Sequence, residues 1–331
     1  MATMIPRRPL GRSGFLVSEI GFGAWAIGDA WGERVPKAQA KEALHAAIDA
    51  GVNFIDTADV YGAGRSEEII GAVLRDRPEE VVVATKMGRG PGWEPTYPAM
   101  EAAARAALKR LKRDALDLVQ LHCVPTSLLR QKQVFDHLEQ LRRDGLIRHY
   151  GVSVETIDEA LYCLRETGSA ALQVIFNALR QRMRDEVLPA AEAVGVGLIA
   201  RVPLASGLLT GKFRADHCFD EADHRLFNAD GQHFNVGETF GGLPFGAGVR
   251  LVDELRTMLE GETGGQPLAT VALRWVLDQP QISTVIPGMK CPHQVESNLA
   301  AAALAPLPET THRRLESFYR DRVDGHIRGA Y

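Results

Sequence analysis

Four side chains that could manage one proton stand close behind short apolar runs. Asp56 and Tyr61 lie in FIDTADVYG, Lys86 in VVVATKMG and His122 in VQLHCVP. An acid, a phenol, an amine and an imidazole suit a reaction at a carbonyl. When hydride reaches the carbon, negative charge grows on the oxygen, which then needs a proton or strong hydrogen bonds. Tyrosine can supply the proton, although its free pKa of about 10 is high for work near neutrality. A neighbouring ammonium would stabilise the phenolate and lower that pKa. Lys86 is expected to be this ammonium, with Asp56 neutralising it and His122 orienting the substrate oxygen or sharing the proton. Singly, each has a plainer reading: a turn aspartate, a solvated lysine, a structural histidine. The case for chemistry rests on their occurring together.

These residues can meet only if the elements that carry them share a rim. Apolar strands begin near positions 17, 53, 80, 117, 147, 172, 196 and 283, and amphipathic helices follow them. VVVA in the third strand is apolar without alternation, as expected where both sheet faces are covered. Strand and helix alternate through eight units, which predicts a parallel sheet with right-handed crossovers, closed into a (β/α)8 TIM barrel. Barrel sites form at the C-terminal ends of the strands. Asp56, Lys86 and His122 end consecutive strands there, and Ser153, Gln173, Asn177 and Arg201 end or occupy later ones. An N-terminal β-hairpin turning at Gly14 is expected to plug the bottom. Residues 212–248 break the rhythm: they form a long Gly-, Asp- and Phe-rich loop after the seventh strand, and a loop of this length in this place is expected to cover substrate.

The bulk properties agree with one barrel spanning 1–331. Apolar and charged residues make up 45% and 24% of the 331, ordinary for a globular chain. A net charge of -4 without charged blocks gives no sign of a nucleic-acid partner. There is no signal-peptide core and no apolar run long enough for a membrane span, so a cytoplasmic location is expected. Cys123, Cys163, Cys218 and Cys291 lie far apart, which predicts free thiols and no metal site. Cys123 follows His122 directly, and strand alternation should turn the two apart.

The motifs resemble those of the aldo-keto reductases. FIDTADVYGAGRSEEIIG, VVVATKMG, DLVQLHCVP, ARVPLASGLLTGK and TVIPGMKCPHQVESNLAAA occur in that family's order, and the resemblance runs from Leu10 to about Leu315. It implies a barrel with an N-terminal hairpin and NADPH-dependent reduction of an aldehyde or ketone, or the reverse oxidation of an alcohol or sugar; NAD is possible. Carried over, the catalytic residues are Tyr61 as general acid/base, Lys86, Asp56 and His122. The cofactor would lie extended across the barrel mouth. Ser153, Gln173 and Asn177 would stand near the nicotinamide carboxamide. Pro203, Leu204, Ser206, Gly207, Leu209 and Lys212 would follow the pyrophosphate. Ile286, Pro287, Gly288, Lys290, Gln294 and Asn298 would hold the adenosine end, with Lys290 as partner of a 2′-phosphate.

Two positions depart from the family's common pattern. Val154 follows Ser153 where asparagine is frequent, and Arg201 stands where an aromatic often stacks on the nicotinamide. Trp25, Trp31 and Trp93, in loops after the first and third strands, are candidates for lining a substrate pocket; Arg225 is either a substrate contact or part of a solvated turn. A small carbonyl compound is the expected partner, and the oligomeric state is not legible. Two other readings stay open. One is a Schiff-base lyase using Lys86. The other is a cofactor-binding regulatory subunit without significant turnover.

Overall fold

The computed structural model describes residues 5–28, 34–90 and 92–331. An antiparallel hairpin, β1 (Arg7–Pro9) and β2 (Leu16–Ser18), precedes the barrel. The barrel strands are β3 (Phe22–Gly23), β4 (Phe54–Asp56), β5 (Val82–Met87), β6 (Leu116–His122), β7 (Ile147–Ser153), β8 (Ala171–Ile175), β9 (Gly197–Arg201) and β10 (Ile282–Val285). They pair in parallel in chain order. Parallel bridges Ile20↔Val285 and Gly23↔Gly288 join the last strand to the first and close the ring. The eight-stranded barrel and its hairpin are present as expected, but the strand expected near position 17 is divided: Leu16–Ser18 pairs within the hairpin, and only Phe22–Gly23 joins the barrel.

Side chains alternate along each strand, and this sorts the sequence into two cores. Outward residues such as Ile55, Val83, Val119, Leu172 and Leu198 pack against the helical ring. Inward residues Phe54, Ala84, Leu118, Ala171 and Ile199 fill the barrel interior together with Leu10 and Val17 of the hairpin. The hairpin thus closes the bottom. It fits tightly: a Cβ on Gly11, whose φ is +50°, would stand 2.1 Å from the Gly197 nitrogen. Arg8 straps the hairpin to the rest, 2.8 Å from Glu19 and donating to the Leu277 and Ile282 carbonyls at 2.6 and 3.0 Å.

Helices follow the barrel strands as the alternation predicts. Ile157–Glu166 begins with a capping box, in which the Thr156 hydroxyl accepts from the Glu159 N–H and the Glu159 carboxylate accepts from the Thr156 N–H. Among the described residues, four helices lie outside the strand–helix count. Thr126–Leu129 and His224–Phe227 are single turns; Phe245–Met258 starts inside the predicted 212–248 loop and precedes the helix Leu268–Leu277; Glu309–Phe318 follows the last barrel helix. The loop itself has internal order, since the rings of Phe213, Phe219, Phe240 and Phe245 pack with centroids 5.1–5.8 Å apart. Among the described residues no helix is long and apolar enough to cross a membrane.

Candidate active site

Two residues above the packed interior, the inward positions become polar. Phe54 is followed by Asp56, Ala84 by Lys86, Leu118 by Gln120 and His122, Ala171 by Gln173, and Ile199 by Arg201. Strand period two thus puts the catalytic candidates on the barrel axis at its C-terminal mouth. The Lys86 ammonium donates to Asp56 Oδ1 at 2.6 Å, to the Thr57 carbonyl at 2.8 Å and to the Tyr61 oxygen at 3.2 Å. Asp56 Oδ2 accepts from Gln173 at 2.7 Å and from Gln120 at 3.3 Å. A buried ion pair is costly unless its remaining hydrogen-bond capacity is met, and here it is met on both sides.

The charges act on Tyr61 in opposition. Burial pushes its phenol above its ordinary pKa, and Lys86 pulls it down without overcoming burial. The expected lowering by Lys86 is therefore present but outweighed, so the phenol stays protonated at neutral pH. Burial lowers the Lys86 pKa, but the neighbouring Asp56 and Tyr61 more than offset it and hold the ammonium. The ring of His122 meets that of Tyr61 edge-on at 5.9 Å.

A cavity of about 460 Å³ opens over this group, walled by Trp25, Tyr61, His122, Gln173 and Arg201 and also by Lys212, Arg225, Lys290 and Gln294, of which the three cations lie near one another. Pro203, Leu204, Ser206, Gly207, Ile286, Pro287 and Gly288 line it too. The sequence-predicted residues named here come together. Trp25 stacks toward Tyr61 at 6.2 Å. Lys86 lies just beneath the cavity floor, with its side chain fully enclosed.

Other predicted residues lie elsewhere. Asn177 spends its amide on the Val202 carbonyl at 3.0 Å and on the Leu179 N–H at 2.9 Å, off the cavity wall. Ser153 is buried behind it, 3.5 Å from the Cys123 sulfur. Leu209 is core. Asn298 donates to the Gly288 carbonyl at 3.3 Å and so supports the wall from outside. Trp93 packs against the core beside Gly88. Trp31 lies outside the described residues. Arg225 lines the cavity, pairs with Asp223 and lies near the cations Lys212 and Lys290.

Sequence reading missed Arg89 and Glu238. Arg89 Nη1 stands 3.0 Å from His122 Nε2 and 3.1 Å from Glu238 Oε1. Glu238 also pairs with Arg201 at 3.3 Å. Arg89 is three residues past Lys86, beyond the strand end where the search for polar residues stopped. Glu238 sits in an aperiodic loop with no signal to mark it. Cys123 also departs from expectation. Its φ of +50° breaks the alternation, so its sulfur lies 3.4 Å from Arg201 and 3.8 Å from Glu238. Burial lifts this thiol to a pKa of about 11, which keeps it protonated and inert.

Comparison with known proteins bears on the fold and the family. A probable voltage-gated potassium channel β subunit of Oryza sativa is 32% identical over 323 residues, covering 90% of this chain and 91% of its own. The solved glycerol dehydrogenase of Gluconobacter oxydans superposes with a TM-score of 0.78 at 26% identity over 98% of both chains. An aldo/keto reductase of Klebsiella pneumoniae, solved with NADP and acetate, gives 0.71 at 25% identity over 95% of this chain and 96% of its own. The model of the Aldo/keto reductase family matches residues 19–320. With that match over nearly the whole length, and an acid, phenol and amine joined at the barrel mouth, the chain belongs to the aldo/keto reductase family.

Proposed function

We propose that this chain reduces an aldehyde or ketone, or oxidises the corresponding alcohol or sugar, with an NADP cofactor and with Tyr61 as general acid/base. The observation that carries it is the Asp56–Lys86–Tyr61 chain, 2.6 and 3.2 Å in its two links, at the floor of an elongated cavity. A reduced nicotinamide would supply the hydride when bound.

The residues present fit such a cofactor. The phenol end of the cavity carries Gln173 and Arg201, which can meet a carboxamide. Pro203, Leu204, Ser206 and Gly207 form the next stretch of wall. Ser206 is fixed by donating to the Glu238 carbonyl at 3.0 Å and accepting from the Phe240 N–H at 3.1 Å. Elsewhere on the wall Lys212, Arg225 and Lys290 are close enough to depress the Lys212 pKa, after burial, by mutual repulsion. Cations gathered against their own repulsion are suited to phosphate groups. Arg225 is assigned to this phosphate end in preference to the substrate. The NADP-bound Klebsiella relative supports the choice of NADP over NAD.

In the reductive direction Tyr61 gives its proton to the carbonyl oxygen. Lys86 then stabilises the phenolate, and Asp56 keeps Lys86 charged. Tyr61→Phe removes the proton and leaves the packing. Turnover should fall by about 100- to 10,000-fold, while NADPH affinity, read by protein fluorescence, stays close to wild type. Unchanged turnover would refute the assigned acid. The regulatory-subunit reading draws on the channel-subunit relative; it would gain if the chain bound NADPH yet reduced nothing in a broad panel of aldehydes, ketones and sugars with either cofactor.

A further inference from the structure

The 212–248 segment contains a turn that its own sequence does not favour. Phe240, Gly241 and Gly242 have φ of +56°, +67° and +90° in succession. A left-handed conformation is costly for a residue with a Cβ and persists only where its surroundings impose it. Two arginines from outside the segment grip this turn, and neither lines the cavity. Arg180, fully buried in the loop after β8, donates from Nη1 to the Gly241 carbonyl at 3.0 Å. Arg328 donates to the Gly242 carbonyl from its backbone N–H at 3.1 Å and from Nε at 3.2 Å. Its Nη2 reaches the Ala229 and Leu243 carbonyls at 2.8 and 3.3 Å, and it pairs with Asp230.

Arg328 belongs to residues 327–331, which are themselves anchored to the barrel. The Ala330 carbonyl accepts from Arg180 Nη2 at 2.8 Å, and the Tyr331 carbonyl from the Ile157 N–H at 2.9 Å. The Tyr331 ring lies 4.1 Å from Arg180 Cζ and 4.6 Å from Arg182 Cζ, and its hydroxyl meets that of Tyr319. Arg180 has no carboxylate partner among the described residues. Two carbonyls and the Tyr331 ring are what offset the burial of its charge. Losing residues 327–331 would strand that cation, so the guanidinium ties them to the turn.

The same strip of loop braces the cavity. Glu238 pairs with Arg89 and Arg201, and its carbonyl, with the Phe240 N–H, fixes the Ser206 hydroxyl. Arg89, Arg201 and Ser206 all line the cavity. Arg180 lies directly beneath this brace: a Cβ on Gly237 would stand 3.1 Å from its Cζ.

We infer that residues 327–331 are a clasp: they hold the strained turn Phe240–Gly242, and through it Glu238, against the cavity wall. Arg180 and Arg328 are positioning residues that act through this turn. The functional consequence rests on the nicotinamide-cofactor reading: when the clasp lets go, the wall loosens and a bound cofactor leaves sooner.

Hydrogen exchange read by mass spectrometry tests the clasp in wild type, Arg328→Met, Gly329→Val and a control. A Cβ on Gly329, whose φ is +82°, would stand 2.6 Å from Val236 Cγ1, so valine pushes the clasp off while leaving Arg328 in the chain. The control is Arg313→Met, an exposed residue paired with Glu309. Amides of residues 228–243 should exchange at least about tenfold faster in Arg328→Met and Gly329→Val, the worth of one hydrogen bond from a charged donor. Barrel-strand amides should keep their wild-type rates, and the control should match wild type throughout. NADPH release, followed by stopped-flow fluorescence after mixing with excess NADP, should quicken by about tenfold in the same two variants. Unchanged exchange over 228–243 in both variants, or an acceleration shared equally by the barrel strands, overturns the clasp. Faster exchange with wild-type NADPH release overturns its link to the cavity. A wild type that binds no NADPH removes the cofactor reading, and the exchange rates still decide the clasp.

Discussion

Tyr61 is held between two opposed effects, burial that keeps its proton on and Lys86 that would take it off, and burial prevails. Elsewhere on the cavity wall, Lys290 is fixed through its backbone: its N–H donates to Gln294 at 2.9 Å and its carbonyl accepts from Gln39 at 2.9 Å. Its side chain is proposed to meet the 2′-phosphate that distinguishes the two cofactors. Lys290→Ala should then weaken NADPH by about tenfold or more, one charge-assisted hydrogen bond, and leave NADH nearly unchanged. Titration of both cofactors by fluorescence checks it, and equal losses would mean that Lys290 does not read this phosphate. At this scale the sequence was informative wherever a polar residue closed an apolar run, as at Asp56, Lys86 and His122. It was silent about Arg89, which has no apolar run of its own, and misleading about Cys123, whose positive φ defeats the alternation rule.

Among the elements, the hairpin and the 212–248 segment do the most to shape the mouth and floor. The hairpin packs Leu10 and Val17 into the barrel interior. Gly11 is where its backbone meets β9, with no room for a Cβ beside Gly197. Gly11→Ala combines this clash with a left-handed conformation, and should cost about 2 kcal/mol or more. Urea unfolding should show a lower midpoint while the folded protein keeps its turnover, because the reacting end is at the opposite face. An unchanged midpoint would mean that the hairpin packs more loosely. The strand and helix spans were legible because each repeats a simple apolar period. The order within 212–248 was not. Its Phe213, Phe219, Phe240 and Phe245 cluster is assembled from residues with no regular spacing, and the helix Phe245–Met258 begins before that irregular stretch has ended.

For the molecule as a whole, eight parallel strands set the architecture, and the period of two along each strand carries the chain from a dry interior to a polar mouth. That gradient explains why a strand count from the sequence also gathered these polar side chains at one mouth. What the count could not reach is the substrate, which depends on how a loop lies over the rim. In the proposed reaction hydride passes to a carbonyl bound against Tyr61. The most direct measurement uses NADPH carrying deuterium at the transferable C4 position, glyceraldehyde as acceptor, and mass spectrometry of the alcohol formed. Wild type is predicted to place one deuterium on the former carbonyl carbon, and Tyr61→Phe to form almost none of this product. Alcohol free of deuterium, or labelled alcohol formed equally fast by Tyr61→Phe, would contradict it.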